Sequence, residues 1–159
     1  MKSTFGPIAV SKPAKTTQTF MALWCVDSRK LTKLRLWRTG AYTFRVIEYD
    51  EPADVLTNYD YILFDRKYEG ALRSAGIQLQ LTPVTVTDEL RKRVWDNYLE
   101  ATIKHNASAD EVTHTTPPGL TIARFGEASV FVSDELKNML QQVDGQDLDF
   151  SLGLSHFAS

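Results

Sequence analysis

Two groups of residues in this chain could do chemistry: the histidines His105, His114 and His156, and an acidic run near the C-terminus. A histidine becomes a general base, or half of a nucleophile–base pair, when a Ser or Cys hydroxyl or thiol lies within reach. His114 stands in THTTPPG, a loop sequence, and loops are where functional side chains concentrate. An enzyme built on this chain would place its pocket near His114 or His156. Yet none of the three histidines adjoins a nucleophile at a recognised spacing. The sequence also lacks a G-x-S-x-G turn, a G-x-x-x-x-G-K-[ST] loop and a G-x-G-x-x-G fingerprint. Cys25, the only cysteine, lies in the apolar run FMALWCV and reads as a small buried hydrophobe.

The acidic run is unbalanced. Residues 127–149 carry Glu127, Asp134, Glu135, Asp144, Asp147 and Asp149 against the single Lys137. The string VDGQDLD lacks the D-x-[DN]-x-[DN]-G order and the closing Glu of a calcium loop, so no metal is expected, and no cofactor motif is present. Asp134-Glu135 and Asp88-Glu89 are each expected in the first turn of a helix. There the dipole stabilises a carboxylate by about 0.3–1 kcal/mol and lowers its pKa, the opposite of what a general acid needs. The chemistry left to these carboxylates is recognition. Asp134, Glu135, Asp144, Asp147 and Asp149, with His114 from the loop, are the candidate partner-binding residues, and they suit a basic protein approached through long-range attraction.

A second charge block has the opposite sign. Residues 29–45 carry Arg29, Lys30, Lys33, Arg35, Arg38 and Arg45 and no acid. Within 31–47 these bases interleave with Trp37, Tyr42 and Phe44, a mixture that can track phosphates and stack bases. Strand alternation offers a plainer account, with the aromatics on the core face, and Trp37 turned to solvent would favour nucleic acid instead. The net charge of −2 and pI near 5.9 argue against a dedicated nucleic-acid binder.

The elements that must position these residues follow from periodicity. The 159 residues, 43% hydrophobic and 24% charged, match one soluble globular domain. Residues 1–16 hold Gly6, Pro7 and Pro13 and read as an irregular arm, leaving 17–159 as a single α+β domain. TQTFMALWCV is a candidate buried strand, and KLTKLRLWR and AYTFRVIEY form a hairpin around Thr39-Gly40. Pro52 and the polar stretch to Asn58 read as a loop, in which PADVL could form one helical turn. YILF leads to Asp65 as N-cap, a helix over 66–75 and Gly76 at its end, then the alternating strand IQLQLTPVTV, where Pro83 implies a bulge or an edge. Thr87 is expected to cap a second helix over 88–104, from the row Leu90, Val94, Tyr98 and Thr102. Residues 106–119 read as a loop. LTIARF and ASVFV make a second hairpin around Phe125-Gly126-Glu127, Ser133 caps a third helix over 134–143, Gly145 ends it, and LDFSLGL is the last strand. The whole is a mainly antiparallel sheet with about three helices and two degenerate strand-helix-strand units.

SVFVSDELKNMLQQVDGQDLDFSLGL, residues 129–154, resembles the F-V-S-x-x-L-K-x-x-L tail of bacterial polymorphic-toxin immunity proteins. YILFDRKYEGALRSAGIQLQLTPVTV looks like a looser copy. The resemblance implies a non-enzymatic cytoplasmic protein that neutralises a cognate toxin by direct binding. It carries over no functional residue, because the shared positions cap a helix and seat its leucines. The cytoplasm also fits a single cysteine, the absence of an apolar run of ~20 residues, and an N-terminus with no continuous apolar stretch.

Overall fold

The structure is a computed structural model and describes residues 22–114 and 119–155. The arm expected over 1–16, the start of the first expected strand, and His156 lie outside the described residues. Among the described residues the chain forms ten strands and three α-helices in one α+β domain. In order they are β1 (Trp24–Ser28), β2 (Arg35–Arg38), β3 (Thr43–Glu48), β4 (Val55–Thr57), β5 (Ile62–Asp65), α1 (Glu69–Arg73), β6 (Leu79–Asp88) and β7 (Arg93–Ile103). There follow α2 (Ala109–His114), β8 (Ile122–Phe125), β9 (Ser129–Val132), α3 (Asp134–Gln141) and β10 (Leu148–Leu152). They build a four-stranded sheet in the order β10-β1-β9-β8 and a six-stranded sheet in the order β2-β3-β6-β7-β5-β4. All pairs are antiparallel except β3 with β6.

The two strand-helix-strand units are both present, and they share one topology. In the first, β5 and β6 each run antiparallel to β7, which lies between them, so they are parallel to each other. In the second, β9 and β10 are parallel in the same way, with β1 between them. Each is a split βαβ unit. The turn entering the first helix, a 3-10 turn over Arg66–Tyr68, is capped by Asp65, which accepts from the Lys67 N–H at 2.9 Å. Helix α3 is capped by Ser133, whose buried hydroxyl accepts from Leu136 N–H, accepts from Thr121 N–H and donates to the Gly119 carbonyl. Gly76 and Gly145, at φ +64° and +74°, make the left-handed exits that a Cβ would strain.

The core explains why YILF is apolar throughout rather than alternating. Ile62 and Phe64 face a cluster shared with Leu72 of α1, Leu136 and Leu140 of α3, and Val26, Val130 and Leu148 of the smaller sheet. Tyr61 and Leu63 point the other way, into a second cluster with Leu36, Phe44, Val86 and Tyr98. Full burial of each such side chain contributes about 1.5–3 kcal/mol. On the far side of the smaller sheet, Leu23, Cys25 and Phe131 are covered by Val112 of α2.

Three expectations are corrected. The helix over 88–104 does not form: residues 79–88 and 93–103 make a long β6–β7 hairpin, and Thr87 is a strand residue opposite Val94 rather than a cap. Spacing of four is even, so the row Leu90, Val94, Tyr98, Thr102 suits one face of a strand as well as one face of a helix. The Val, Trp, Tyr, Thr and Ile content of β7 favours the strand. Asp88 therefore ends β6 and Glu89 begins the turn, where the Asp88 carboxylate accepts from Arg91 N–H and Lys92 adopts φ +57°. The loop expected over 106–119 contains α2. Its start is a reciprocal cap: Glu111 N–H donates to Ser108 Oγ at 3.1 Å, and Ser108 N–H donates to Glu111 Oε1 at 2.9 Å. The stretch 52–58, read as a loop that could hold one helical turn at PADVL, supplies β4 instead. Pro83 fulfils both of its expectations, since a register shift follows at Val84/Val86 and β3 pairs only with Thr85–Thr87.

Candidate functional site

The acidic candidates do not act as one set. Asp134 is occupied: its Oδ1 accepts from the Trp24 indole N–H at 2.5 Å, while Lys137 lies over the same ring at 4.5 Å from its centroid. Asp147 is drawn inward, its N–H donating to Asp54 Oδ2 and to the Tyr68 hydroxyl at 3.1 Å each, with Arg29 3.6 Å from its carboxylate. Glu135, Asp144 and Asp149 are exposed. Asp149 sits directly opposite Asp27 across β10 and β1, a like-charge pair that weakens that register.

The histidines are held by neighbours on the surface of α2 and its approach. His114 Nδ1 lies 3.1 Å from Asp110 Oδ1 and 2.8 Å from Thr113 Oγ1, and its side chain is exposed. His105 Nε2 lies 2.8 Å from Glu111 Oε2. The Glu111 carboxyl is held below the usual range, first by the Ser108 N–H and then by His105. Cys25 is buried among Leu23, Val112 and Phe131, and burial, then the Asp27 charge, pushes its thiol up to about 12, far from a nucleophile's range. Among the described residues no three His, Cys, Asp or Glu side chains are placed to hold a metal ion.

A different site emerges where the six-stranded sheet curls on itself. β2 and the β4–β5 hairpin stand at the two ends of the strand order, yet they meet. The Arg38 guanidinium reaches Asp60 at 3.0 Å and Glu100 at 2.6 Å, and the Leu36 N–H donates to the Tyr61 hydroxyl at 3.2 Å. The bond to Glu100 raises the pKa of Arg38 and keeps it cationic. Phe44 packs edge-on to Tyr61, ring centroids 5.3 Å apart, with Arg38 over the Phe44 ring. Outside this seam lies a groove of about 360 Å³ between β2 and residues 58–60, walled by Trp37, Tyr59 and Ile47. Trp37 is 60% exposed and Tyr59 78% exposed, unusual for side chains of their size.

Trp37 stands in register with Arg45 on β3, and both face outward, while Leu36 and Phe44 face the core. The plainer expectation, that the hairpin aromatics line the core face, therefore fails for Trp37 and for Tyr42, which is also exposed, and holds for Phe44. The signal was available, since Trp37 is in phase with Arg35 rather than with Leu34 and Leu36. Tyr59 had no such signal, because it comes beside Trp37 only through long-range contacts, among them Arg38 with Asp60 and Leu36 with Tyr61. No protein-family model, curated protein or solved structure matches this chain.

Proposed function

We propose that this chain is a non-catalytic binding protein of the immunity type, which neutralises a cognate bacterial toxin in the cytoplasm by occupying its surface. The observation that carries the reading is the groove at Trp37 and Tyr59. Trp, Tyr and Arg are the side chains that dominate protein–protein hot spots, and here they are exposed together, Trp37 on β2 and Tyr59 in the bend between β4 and β5. The stretch that resembles immunity proteins folds as β9, the Ser133 cap, α3 and β10, a scaffold for such a surface. None of the described helices is long and apolar enough to cross a membrane. The test is expression of the reading frames adjacent to this gene, alone to find one that is toxic and then together with this protein. Rescue of growth supports the reading, and unrelieved toxicity with the protein present at excess refutes it.

A second reading has its own observation. Trp37 turned to solvent beside Arg45 is the arrangement that favours an accessory protein of single-stranded nucleic acid. Binding of an oligonucleotide that weakens steeply with salt would support it.

A further inference from the structure

We infer that the groove between β2 and residues 58–60 receives an apolar or aromatic side chain from a protein partner, and that a carboxylate beside that side chain pairs with Arg45. The inference rests on the protein-binding reading above and names the chemistry of its partner.

Backbone pairing is the first alternative, because β2 ends the six-stranded sheet and an end strand invites another. That route is obstructed. The Tyr61 hydroxyl already caps the Leu36 N–H, and the Arg38 side chain crosses the edge to Asp60 and Glu100. A register shift between Arg35 and Leu36 further bends the strand. What remains is recognition by side chains, into a groove whose volume is at the lower end of the ~300–1,000 Å³ typical of ligand sites. That is room for one or two side chains.

Charge selects the partner. Arg35 pairs with Glu48 at 3.5 Å, and Arg38 is spent on Asp60 and Glu100. Arg45, in register with Trp37, is exposed and makes no ion pair among the described residues. The unspent charge beside the indole is thus a guanidinium, whose fork matches a carboxylate. A phosphate chain would match it too, but the other arginines around the groove are paired with Glu48, Asp60 and Glu100, and the one guanidinium left suffices for a single carboxylate and not for a continuous polyanion. A protein side chain with an acidic neighbour is the favoured occupant.

The full chain, labelled with 15N, provides the test through the Trp37 indole and Arg45 guanidinium resonances. Three probes are titrated: the peptide Gly-Ser-Asp-Phe-Asp-Ser-Gly, its counterpart with Lys for both Asp, and a twelve-residue oligothymidylate. The acidic peptide is expected to move both resonances. Arg45→Glu should weaken that peptide about tenfold, a loss of about 1.4 kcal/mol, and improve the lysine peptide, while Trp37→Ala should abolish both. Both side chains are exposed, so the variants should keep the parent spectrum elsewhere. Equal response to the two peptides, response to the oligonucleotide alone, or no response to millimolar acidic peptide each overturns the proposal. The outcome is separable from the toxin test: peptide binding without growth rescue leaves the groove and refutes immunity, and rescue unaffected by Trp37→Ala does the reverse.

Discussion

Tyr68 donates its buried hydroxyl to Oδ2 of Asp54, and that same oxygen receives the Lys67 ammonium and the Asp147 N–H, each at 3.1 Å. Lys67 donates also to the Gly145 carbonyl at 2.8 Å, so the entrance to α1 is fastened to the exit from α3. Burial, and then the Asp54 carboxylate, raise the Tyr68 phenol well above its ordinary range. Asp54→Ala strands a buried hydroxyl and an amide and should cost about 3–5 kcal/mol. Tyr68→Phe should cost about 1–2 kcal/mol. Urea midpoints check both, and an unchanged midpoint for Asp54→Ala would show that the junction contributes nothing.

Stability should fall in alkali. The folded Cys25 thiol keeps its proton up to about 12, while the unfolded thiol ionises near 9.0. Between those values only the unfolded state loses the proton, so this group leaves stability unchanged below pH 9 and lowers it above, by at most about 1.4 kcal/mol per pH unit. Tyr68 and Tyr98, both raised chiefly by burial, act in the same direction at higher pH. Unfolding free energies from pH 8 to 11 should show the decline, with a smaller slope in Cys25→Ala.

The β6–β7 hairpin can be told from a helix by two substitutions. Leu90, at the turn, is 89% exposed, and Leu90→Ser should change stability by less than about 0.5 kcal/mol. Leu99 is fully buried, and Leu99→Ala should cost about 2–5 kcal/mol. In a helix over 88–104, Leu90 would belong to the core row and its replacement would be severe.

The acidic side chains should separate by role. Asp134→Ala removes a charge-assisted bond to the Trp24 indole and should cost about 1.5–3 kcal/mol, with a shift in tryptophan emission. Asp144→Lys lies on the surface and should cost less than about 0.5 kcal/mol. If a basic toxin is the partner, reversing Glu135, Asp144 and Asp149 together should slow association at low salt, measured by stopped flow. Unchanged rates would assign recognition to the groove alone.

What could be read in advance was local. The caps at Asp65 and Ser133, the glycine exits and both hairpin turns at Gly40 and Gly126 follow from single side chains acting on adjacent backbone, and all are present. The β6–β7 hairpin is hidden in the sequence because even spacing serves two periods, and the Ser108–Glu111 cap of α2 is obscured by the prolines that follow. The candidate groove was half legible. Trp37 carried its orientation in its phase, whereas Tyr59 reaches it only through the curl of the sheet.

The strand between β9 and β10 is the first of the described strands to be made, and its two partners are the last. Strand β1 leaves the ribosome more than a hundred residues before its partners at 130–132 and 148–152, and at 5–20 residues per second that is a wait on the order of ten seconds. Until then β1 has no strand to pair with, although Val26 shares a core cluster with Val55, Ile62 and Phe64 of the larger sheet. The geometry also shows how the wait could be removed. Leu152 pairs directly with Trp24, just as Asp88 pairs with Arg93 at the turn of the first unit. A circular permutant that starts in the β1–β2 connection and joins Leu152 to Trp24 by a short turn would give the second unit the same chain order as the first. Its strands would then be synthesised in the order in which they pair.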